Sequence, residues 1–305
     1  MKRTFKGSLV CVAILISSTS ATAQTHPNRP RILGITQVEL YSTNVEAAGS
    51  FFTTVFGSER ARADTCEWDN VSQVIGYFHF TSFCFGQHLR LEKAPKSPPS
   101  SLLSEVVFST EDVKEMRKYL AAKKAVIVKN SVGEQYFAVM DPEGHRIGFM
   151  QSSKNVTPSS ESGIRLIHAG FVVHDRAAED KFYKDILGFH VYWHGGIKDD
   201  EINWVDMQVP DGTEWIEYML NVPADADKRT LGVMNHIALG VPDIHAAQQQ
   251  LMKNGWKGDE QPQIGRDGKW QLNLYDPDGT RVELMEFTPV EKPCCSEYTG
   301  PHPKP

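Results

Sequence analysis

The stretch HAGFVVHD, residues 168–175, indicates the fold, because a similar stretch, HIALGVPD, recurs at residues 236–243. Each stretch begins with a histidine, continues through an apolar run typical of a strand, and ends in a polar turn that precedes a predicted amphipathic helix. Self-similarity of this kind indicates repeated supersecondary units. We therefore predict that the chain is built from copies of a unit that begins with a strand and a helix.

The rest of the sequence contains four such units. An amphipathic helix is predicted in each, over Val45–Phe56, Val113–Lys123, Ala177–Leu187 and Ile244–Asn254. A glycine follows three of these helices, as is common where helices end. After each helix there is room for three strands. Strand–helix–strand–strand–strand is the simplest unit that fits this spacing.

The four units pair into two halves. Asp141-Pro-Glu-Gly144 recurs as Asp276-Pro-Asp-Gly279, a turn that leads into a final strand in each half. We place the halves at residues 31–151 and 164–289, with a serine-rich linker at 152–163. The expected class is α+β, with mixed sheets that close around a cavity.

The first 23 residues have the features of a secretory signal. A positively charged start, a short apolar run and a small-residue cleavage site follow one another. The apolar run is shorter than the ~20 residues that a membrane span needs. We therefore expect a periplasmic or secreted protein that is free of the membrane once the signal is removed. The net charge of −6, without a basic stripe, argues against nucleic acid as a partner.

The mature chain keeps four cysteines, which can form disulfides outside the cytoplasm. Cys66 with Cys84 is the preferred pair, because both lie in the strand-rich part of the first half. Cys294 and Cys295 are adjacent in a proline-rich tail, residues 290–305. This pair is either a redox or soft-metal site, or part of a tail without a catalytic role, and we favour the tail.

Four polar residues of the second half stand in strand-like segments: His168, Glu217, His236 and Glu283. A carboxylate inside an apolar strand is unfavourable unless it is paired or bound to metal. Two imidazoles and two carboxylates can hold a divalent ion, and these ligand types admit Fe, Mn, Ni, Co or Zn. The sequence therefore predicts a centre for one divalent metal ion. Glu217 or Glu283 would also serve as a base.

Two nearby glutamates compete with this assignment. Glu286 alternates with Glu283 along the strand and is expected on its opposite face. Glu214 lies near the turn at Asp211-Gly212 and is expected to face solvent. Aromatic residues around the four candidates are expected either to wall a pocket or to pack in the core: Trp193, Trp204, Trp215, Tyr218 and Trp270.

The stretch 168–175, followed by Phe182-Tyr183 and by Leu187-Gly188-Phe189, resembles the opening of a glyoxalase I. The chain is identified as a member of the vicinal oxygen chelate superfamily, which includes glyoxalase I, extradiol dioxygenases, epimerases and antibiotic-resistance proteins. The resemblance implies tandem domains made of four βαβββ modules. It also implies His168, His236 and Glu283 as metal ligands, with Glu217 as the fourth ligand of the glyoxalase I pattern.

The first half departs from this ligand pattern. Gln37 falls where His168 does, Glu105 where His236 does, and Gly148 where Glu283 does. Glycine has no side chain that can bind metal. The first half is therefore expected to be a structural or interface domain with a degenerate site.

Three functions remain open. The leading hypothesis is an exported, metal-dependent lyase or isomerase with glyoxalase-like chemistry on a small oxygen-chelating substrate. A single chain and a homodimer both remain open as its assembly. The first alternative is an Fe(II)-dependent extradiol dioxygenase. Extradiol enzymes usually carry a histidine and a tyrosine before the final turn, and Asn273 occupies the tyrosine position here. The second alternative is a non-catalytic protein that binds a small molecule.

Overall fold

The computed structural model describes residues 28–56, 87–129, 131, 133–152 and 163–305, and the backbone of 81–84. The predicted signal sequence, most of the predicted linker and the predicted Cys66–Cys84 pair lie outside these described residues, and they stay predictions. Helices in the described part are too short or too polar to span a membrane.

The first half forms a seven-stranded mixed sheet with two helices. Its elements are β1 (Ile32–Ser42), α1 (Val45–Val55), β2 (Thr81–Cys84), β3 (His88–Lys93), β4 (Leu103–Thr110), α2 (Val113–Ala122), β5 (Val126–Ile127), β6 (Tyr136–Met140) and β7 (Arg146–Gln151). The strand order is β2-β3-β1-β4-β7-β6-β5. β1 is parallel to β3, β4 is parallel to β7, and β1 and β4 join the two units in antiparallel register.

The second half forms an eight-stranded sheet in the same way. Its elements are β8 (Arg165–Val172), α3 (Arg176–Asp180, followed by a π-helical turn, Lys181–Ile186), β9 (His190–Gly195), β10 (Trp204–Gln208), β11 (Trp215–Met219), α4 (Lys228–Met234), β12 (His236–Val241), α5 (Ile244–Lys253), β13 (Gln263–Ile264), β14 (Trp270–Tyr275) and β15 (Arg281–Glu286). The strand order is β13-β14-β15-β12-β8-β11-β10-β9. The repeated arrangement confirms the α+β class and the βαβββ unit.

Four helices begin at the residues that the sequence indicates. The side chains of Asn44, Asp112, Asp175 and Asp243 each accept a hydrogen bond from a backbone N–H of the first turn. Such caps satisfy donors that have no partner within the helix. The predicted helix bounds are therefore right to within one or two residues.

Two elements differ from the prediction. The second half of the Ala177–Leu187 helix is a π turn, which brings Phe182 and Tyr183 into the core side by side. Helix α4 begins at Lys228, where the sequence predicts no helix. None of its residues is buried, so it lacks the apolar stripe from which helices are predicted.

The repeated Asp-Pro turns dock each half onto the other. Glu143 accepts a hydrogen bond from the backbone N–H of His174, 2.6 Å away, at the junction of β8 and α3. Asp278 accepts from the hydroxyl of Ser42 at 2.6 Å and from the N–H of Thr43 at 3.1 Å, between β1 and α1. The third residue of each turn thus binds the first strand–helix junction of the other half.

A candidate metal centre in the second sheet

The four predicted residues lie on the four central strands of the second sheet. His168 is on β8, Glu217 on β11, His236 on β12 and Glu283 on β15. These strands are neighbours in the order β15-β12-β8-β11. The pairing registers keep the four positions within two residues of one another, and side chains two residues apart share a face. The site is therefore assembled within one chain.

The four side chains approach one another, and His168, Glu217 and His236 are close enough together to share a metal ion. The Nε2 atoms of His168 and His236 are 3.1 Å apart. Glu217 Oε2 lies 3.0 Å from Nε2 of His236 and 3.5 Å from that of His168. Glu283 Oε2 lies 3.6 Å from both. Metal–ligand bonds of about 2.1 Å put neighbouring ligand atoms roughly 3.0–3.4 Å apart, so this spacing suits one shared cation.

The hydrogen bonds of His236 also suit a cation. Its Nδ1 donates to the carbonyl of Met234 at 3.1 Å, so in the neutral ring Nε2 presents a lone pair to the centre. Nη2 of Arg281 already donates to that lone pair at 2.8 Å. A metal ion bound at Nε2 would take the place of this hydrogen bond. Two imidazoles and two carboxylates are a donor set that fits a divalent metal.

Burial sets the protonation of the four donors. Desolvation holds the pKa values of His168 and His236 well below their ordinary value, and the positive Arg281 adds to the effect. Desolvation raises the pKa values of Glu217 and Glu283 to about 7, although Arg281 opposes the rise. At neutral pH the imidazoles are thus neutral, and the carboxyl groups are poised to gain or lose a proton.

Gly170 makes room for the centre. It lies on β8 opposite His236 and beside Glu217. A Cβ atom at this position would be 2.1 Å from Cε1 of His236. Only glycine therefore allows the imidazole to lie over the strand.

A cavity of about 380 Å³ opens onto the centre. Its polar walls include Asp206, Arg266, Asn273 and Arg281, and its apolar walls include three tryptophans: Trp193, Trp204 and Trp215. Of the aromatic residues considered from the sequence, Tyr218 and Trp270 do not line the cavity. Tyr218 is buried in the core, and Trp270 contacts His245 edge to face. Sequence reasoning also missed Arg281. Its place two residues before Glu283, on the same strand face, was an available signal.

The two competing glutamates take other roles. Glu286 accepts a hydrogen bond from the backbone N–H of Ile244 at 2.9 Å, outside the centre. The expectation that Glu214 faces solvent is wrong. The side chain of Glu214 is buried, because Gly34 of the first half packs directly against its carboxylate. This carboxylate forms an ion pair with Arg165.

Ion pairs replace the ligand set in the first sheet. In equivalent register, Arg90 stands where Glu217 does, and it pairs with Glu39. Glu105, in the place of His236, is bonded by Arg146 and by Tyr136. Gly148 leaves the space that Glu105 fills, since a Cβ there would lie 2.8 Å from Oε1 of Glu105. These residues leave no set of free donors for a metal.

Comparison with known proteins agrees with this architecture. Residues 165–284 match the family model of the Glyoxalase/Bleomycin resistance protein/Dioxygenase superfamily. The matched residues include all four converging side chains. The match covers much of the second half of the chain, and it confirms the resemblance seen in the sequence.

One curated relative matches part of the chain. A probable chloroplastic lactoylglutathione lyase of Arabidopsis thaliana is 24% identical over 135 residues. Those residues are 43% of this chain and 38% of the relative. The match thus spans little more than a third of the relative's length.

Solved structures match over most of the chain. A substrate complex of homoprotocatechuate 2,3-dioxygenase from Brevibacterium fuscum has a TM-score of 0.61 and 18% identity, over 85% of this chain and 82% of that one. A room-temperature structure of an extradiol ring-cleaving dioxygenase from B. fuscum has a TM-score of 0.60 and 20% identity, over 85% and 73%. At such identities the likeness shows the fold alone.

Proposed function

We propose that this protein is a metal-dependent lyase or isomerase with glyoxalase-like chemistry on a small substrate that offers two neighbouring oxygens. The observation that carries the proposal is the position of Glu217. Its Oε2 lies 3.0 Å from Nε2 of His236, so it joins the two histidines and Glu283 as a fourth donor. A fourth protein ligand favours redox-neutral chemistry over activation of oxygen.

His168, Glu217, His236 and Glu283 would hold one divalent ion. Such an ion, when bound, polarises a substrate oxygen and stabilises an anion that forms beside it. The protein supplies the proton transfer. Glu217 and Glu283 have pKa values raised to about 7 by burial, which suits a group that takes and returns a proton at neutral pH.

The cavity walls favour a small, partly planar substrate. The half-buried indole of Trp204 offers a flat apolar face, and the wall also includes Trp193 and Trp215, which are almost fully buried. Arg281 reaches the same space and can hold a negative substrate oxygen against the donors. About 380 Å³ lies at the low end of ligand sites, so we do not expect the whole of a peptide-conjugated substrate to be enclosed.

We also propose that the protein acts outside the cytoplasm. The start of the chain has the pattern of a secretory signal. Cys294 and Cys295 form a disulfide, a bond that persists in oxidising compartments.

A ring-cleaving dioxygenase is the second candidate, favoured by the likeness of fold over 85% of the chain. The composition of the cavity wall argues against it. In the described part of the chain, His168 is the only histidine among the lining residues, and Asn273 lines the wall near Glu283. A diol would therefore meet no further imidazole to take its proton.

Elemental analysis and metal reconstitution test the proposal. We expect about one divalent ion per chain in the wild type, and loss of it in His168→Ala and His236→Ala. His245→Ala, an exposed histidine outside the site, is the matched control and should keep the ion. Retention of metal by both site variants would overturn the metal centre.

Activity then separates the candidates. We expect lyase or isomerase turnover of α-oxygenated carbonyl compounds with Ni(II), Co(II), Mn(II) or Zn(II). Uptake of oxygen with catechols after anaerobic loading with Fe(II) would instead establish the dioxygenase. Small-molecule binding that survives in both histidine variants, without any turnover, would establish a binding protein.

A further inference from the structure

The side chain of Lys269 is fully buried, which is rare for lysine. Within the described part of the chain its ammonium has no hydrogen-bond partner. Three aromatic rings surround it instead, with centroids 4.8 Å away for Trp215, 5.2 Å for Tyr298 and 5.5 Å for Tyr192. Aromatic faces attract a cation at such distances, most strongly when water is excluded. We call these three rings the aromatic cage.

The cage adjoins the metal centre through Trp215. The indole of Trp215 packs on the imidazole of His168, with ring centroids 4.8 Å apart and a tilt of 32°. Trp215 is therefore in contact with a candidate ligand and with the buried ammonium. Lys269 itself does not line the cavity.

His168 depends on this packing more than His236 does. Nδ1 of His236 donates to the carbonyl of Met234, whereas Nδ1 of His168 is buried without a hydrogen-bond partner among the described residues. Metal-binding histidines usually rely on such a second hydrogen bond to fix the ring. For His168 the face of Trp215 takes that part.

The third ring of the cage comes from the C-terminal tail, residues 290–305. The hydroxyl of Tyr298 donates to the carbonyl of Asp267 at 2.9 Å. The N–H of Thr299 donates to the carbonyl of Tyr192 at 3.0 Å, and Gln208 holds the carbonyl of Pro301 at 2.9 Å. The tail thus lies along β9 and β10 and closes the cage over the ammonium.

We propose that Lys269 is a positioning residue, whose ammonium clamps Trp215 of the metal-bearing sheet to Tyr298 of the tail and so fixes His168 for metal binding. The inference rests on the proposed function, because it takes His168 as a ligand. It follows that docking of the tail and binding of metal strengthen each other, since coupling between two binding events is reciprocal. Burial lowers the pKa of Lys269, and the nearby carboxylates of Asp267 and Asp206 oppose this lowering.

Metal affinity of variants tests the clamp directly. We would titrate Co(II) against a chromophoric chelator. Lys269→Met keeps the length and removes the charge, and Tyr298→Ala removes one ring; each should weaken Co(II) binding about tenfold, as loss of a supporting contact does. Tyr298→Phe keeps the ring and loses only the bond to Asp267, so it should weaken Co(II) binding less than Tyr298→Ala does. Lys198→Met, which changes an exposed lysine, is the matched control. Wild-type affinity in folded Lys269→Met would overturn the clamp.

A measurement on the unmodified protein decides the matter if Lys269→Met does not fold. Saturation with Co(II) should slow hydrogen exchange at the amides of Thr299 and Cys294, which hold the tail to the sheet. Unchanged exchange would overturn the inference while leaving the metal centre intact. Failure of the wild type to bind Co(II) would overturn the proposed function, and this inference with it.

Discussion

At the scale of single residues, the two halves differ at positions that decide whether a metal can bind. Arg90 and Gly148 stand in the register positions of Glu217 and Glu283. A guanidinium only donates hydrogen bonds, and glycine has no donor atom for a metal. Arg90 therefore forms an ion pair with Glu39 and cannot serve as a metal ligand. The two sheets have a similar strand arrangement, but the polar side chains at the equivalent positions differ.

Replacing Glu217 by glutamine tests the fourth ligand. The amide keeps the size of the side chain but loses the charge that attracts the metal, so we expect at least a tenfold loss of Co(II) or Zn(II) affinity. Isothermal titration at neutral pH measures it. Glu201→Gln, an exposed glutamate paired with Lys198, is the control. Equal affinity in Glu217→Gln and wild type would remove Glu217 from the ligand set and favour the dioxygenase.

Replacing Gly170 by alanine tests the space over β8. The added methyl group would meet the imidazole of His236, so we expect weaker metal binding and a loss of about 1–3 kcal/mol in the free energy of unfolding. Urea denaturation measures the loss. The same change made in His236→Ala should be nearly neutral, because the ring is gone. An equal loss in both backgrounds would contradict the assigned contact.

At the scale of elements, local sequence signals predict where four helices start. The remaining features depend on tertiary contacts that the sequence does not reveal. Asp175 and Asp243 indicate the helix starts, because capping depends on residues within one turn. The π turn at Lys181–Ile186 has no such local signal, and helix α4 has the cap, Asp227, but none of its residues is fully buried. The contact of Tyr298 with Lys269 joins residues 29 positions apart through packing alone. The four donors could be predicted because the repeat relates them. Arg281 also has a counterpart in the repeat, Arg146, which stands five residues after the aspartate of the same turn. The cage, by contrast, depends on tertiary packing.

Helix α3 provides a pH-dependent contact between the halves. Glu179 is buried against the turn at Asp141, and its carboxylate accepts from the N–H of Glu143 at 3.0 Å. Burial and the neighbouring Asp141 raise the pKa of Glu179 to about 9. Since the pKa in the folded protein exceeds the unfolded value, the stability from this group is complete below about pH 4.5 and is lost as the pH rises through about 9.

Glu179→Gln mimics the protonated acid and does not titrate. We expect its melting temperature to gain on that of the wild type as the pH rises from about 5 to 9. Thermal unfolding across this range measures the difference, with Glu201→Gln as the exposed control. A difference that stays constant with pH would contradict the raised pKa.

At the scale of the whole molecule, two similar halves dock through the same turn used twice. The first half offers Glu143 to the junction of β8 and α3, and the second offers Asp278 to the junction of β1 and α1. The turn motif therefore has two roles, since it leads into the last strand of its own half and binds the first helix of the other. Through these contacts the first half, which lacks the ligand set, stabilises the half that has it.

Removing these two carboxylates tests the docking. Glu143→Ala and Asp278→Ala each remove charge-assisted hydrogen bonds to backbone and hydroxyl donors, so each should lower the free energy of unfolding by about 1.5–3 kcal/mol. The two contacts share no residue, and the double variant should show the sum to within about 0.5 kcal/mol. Asp225→Ala, at an exposed site, should change nothing. Because neither carboxylate is near the metal centre, folded variants should bind Co(II) as the wild type does. Loss of Co(II) affinity without loss of stability would contradict a purely structural role for the first half.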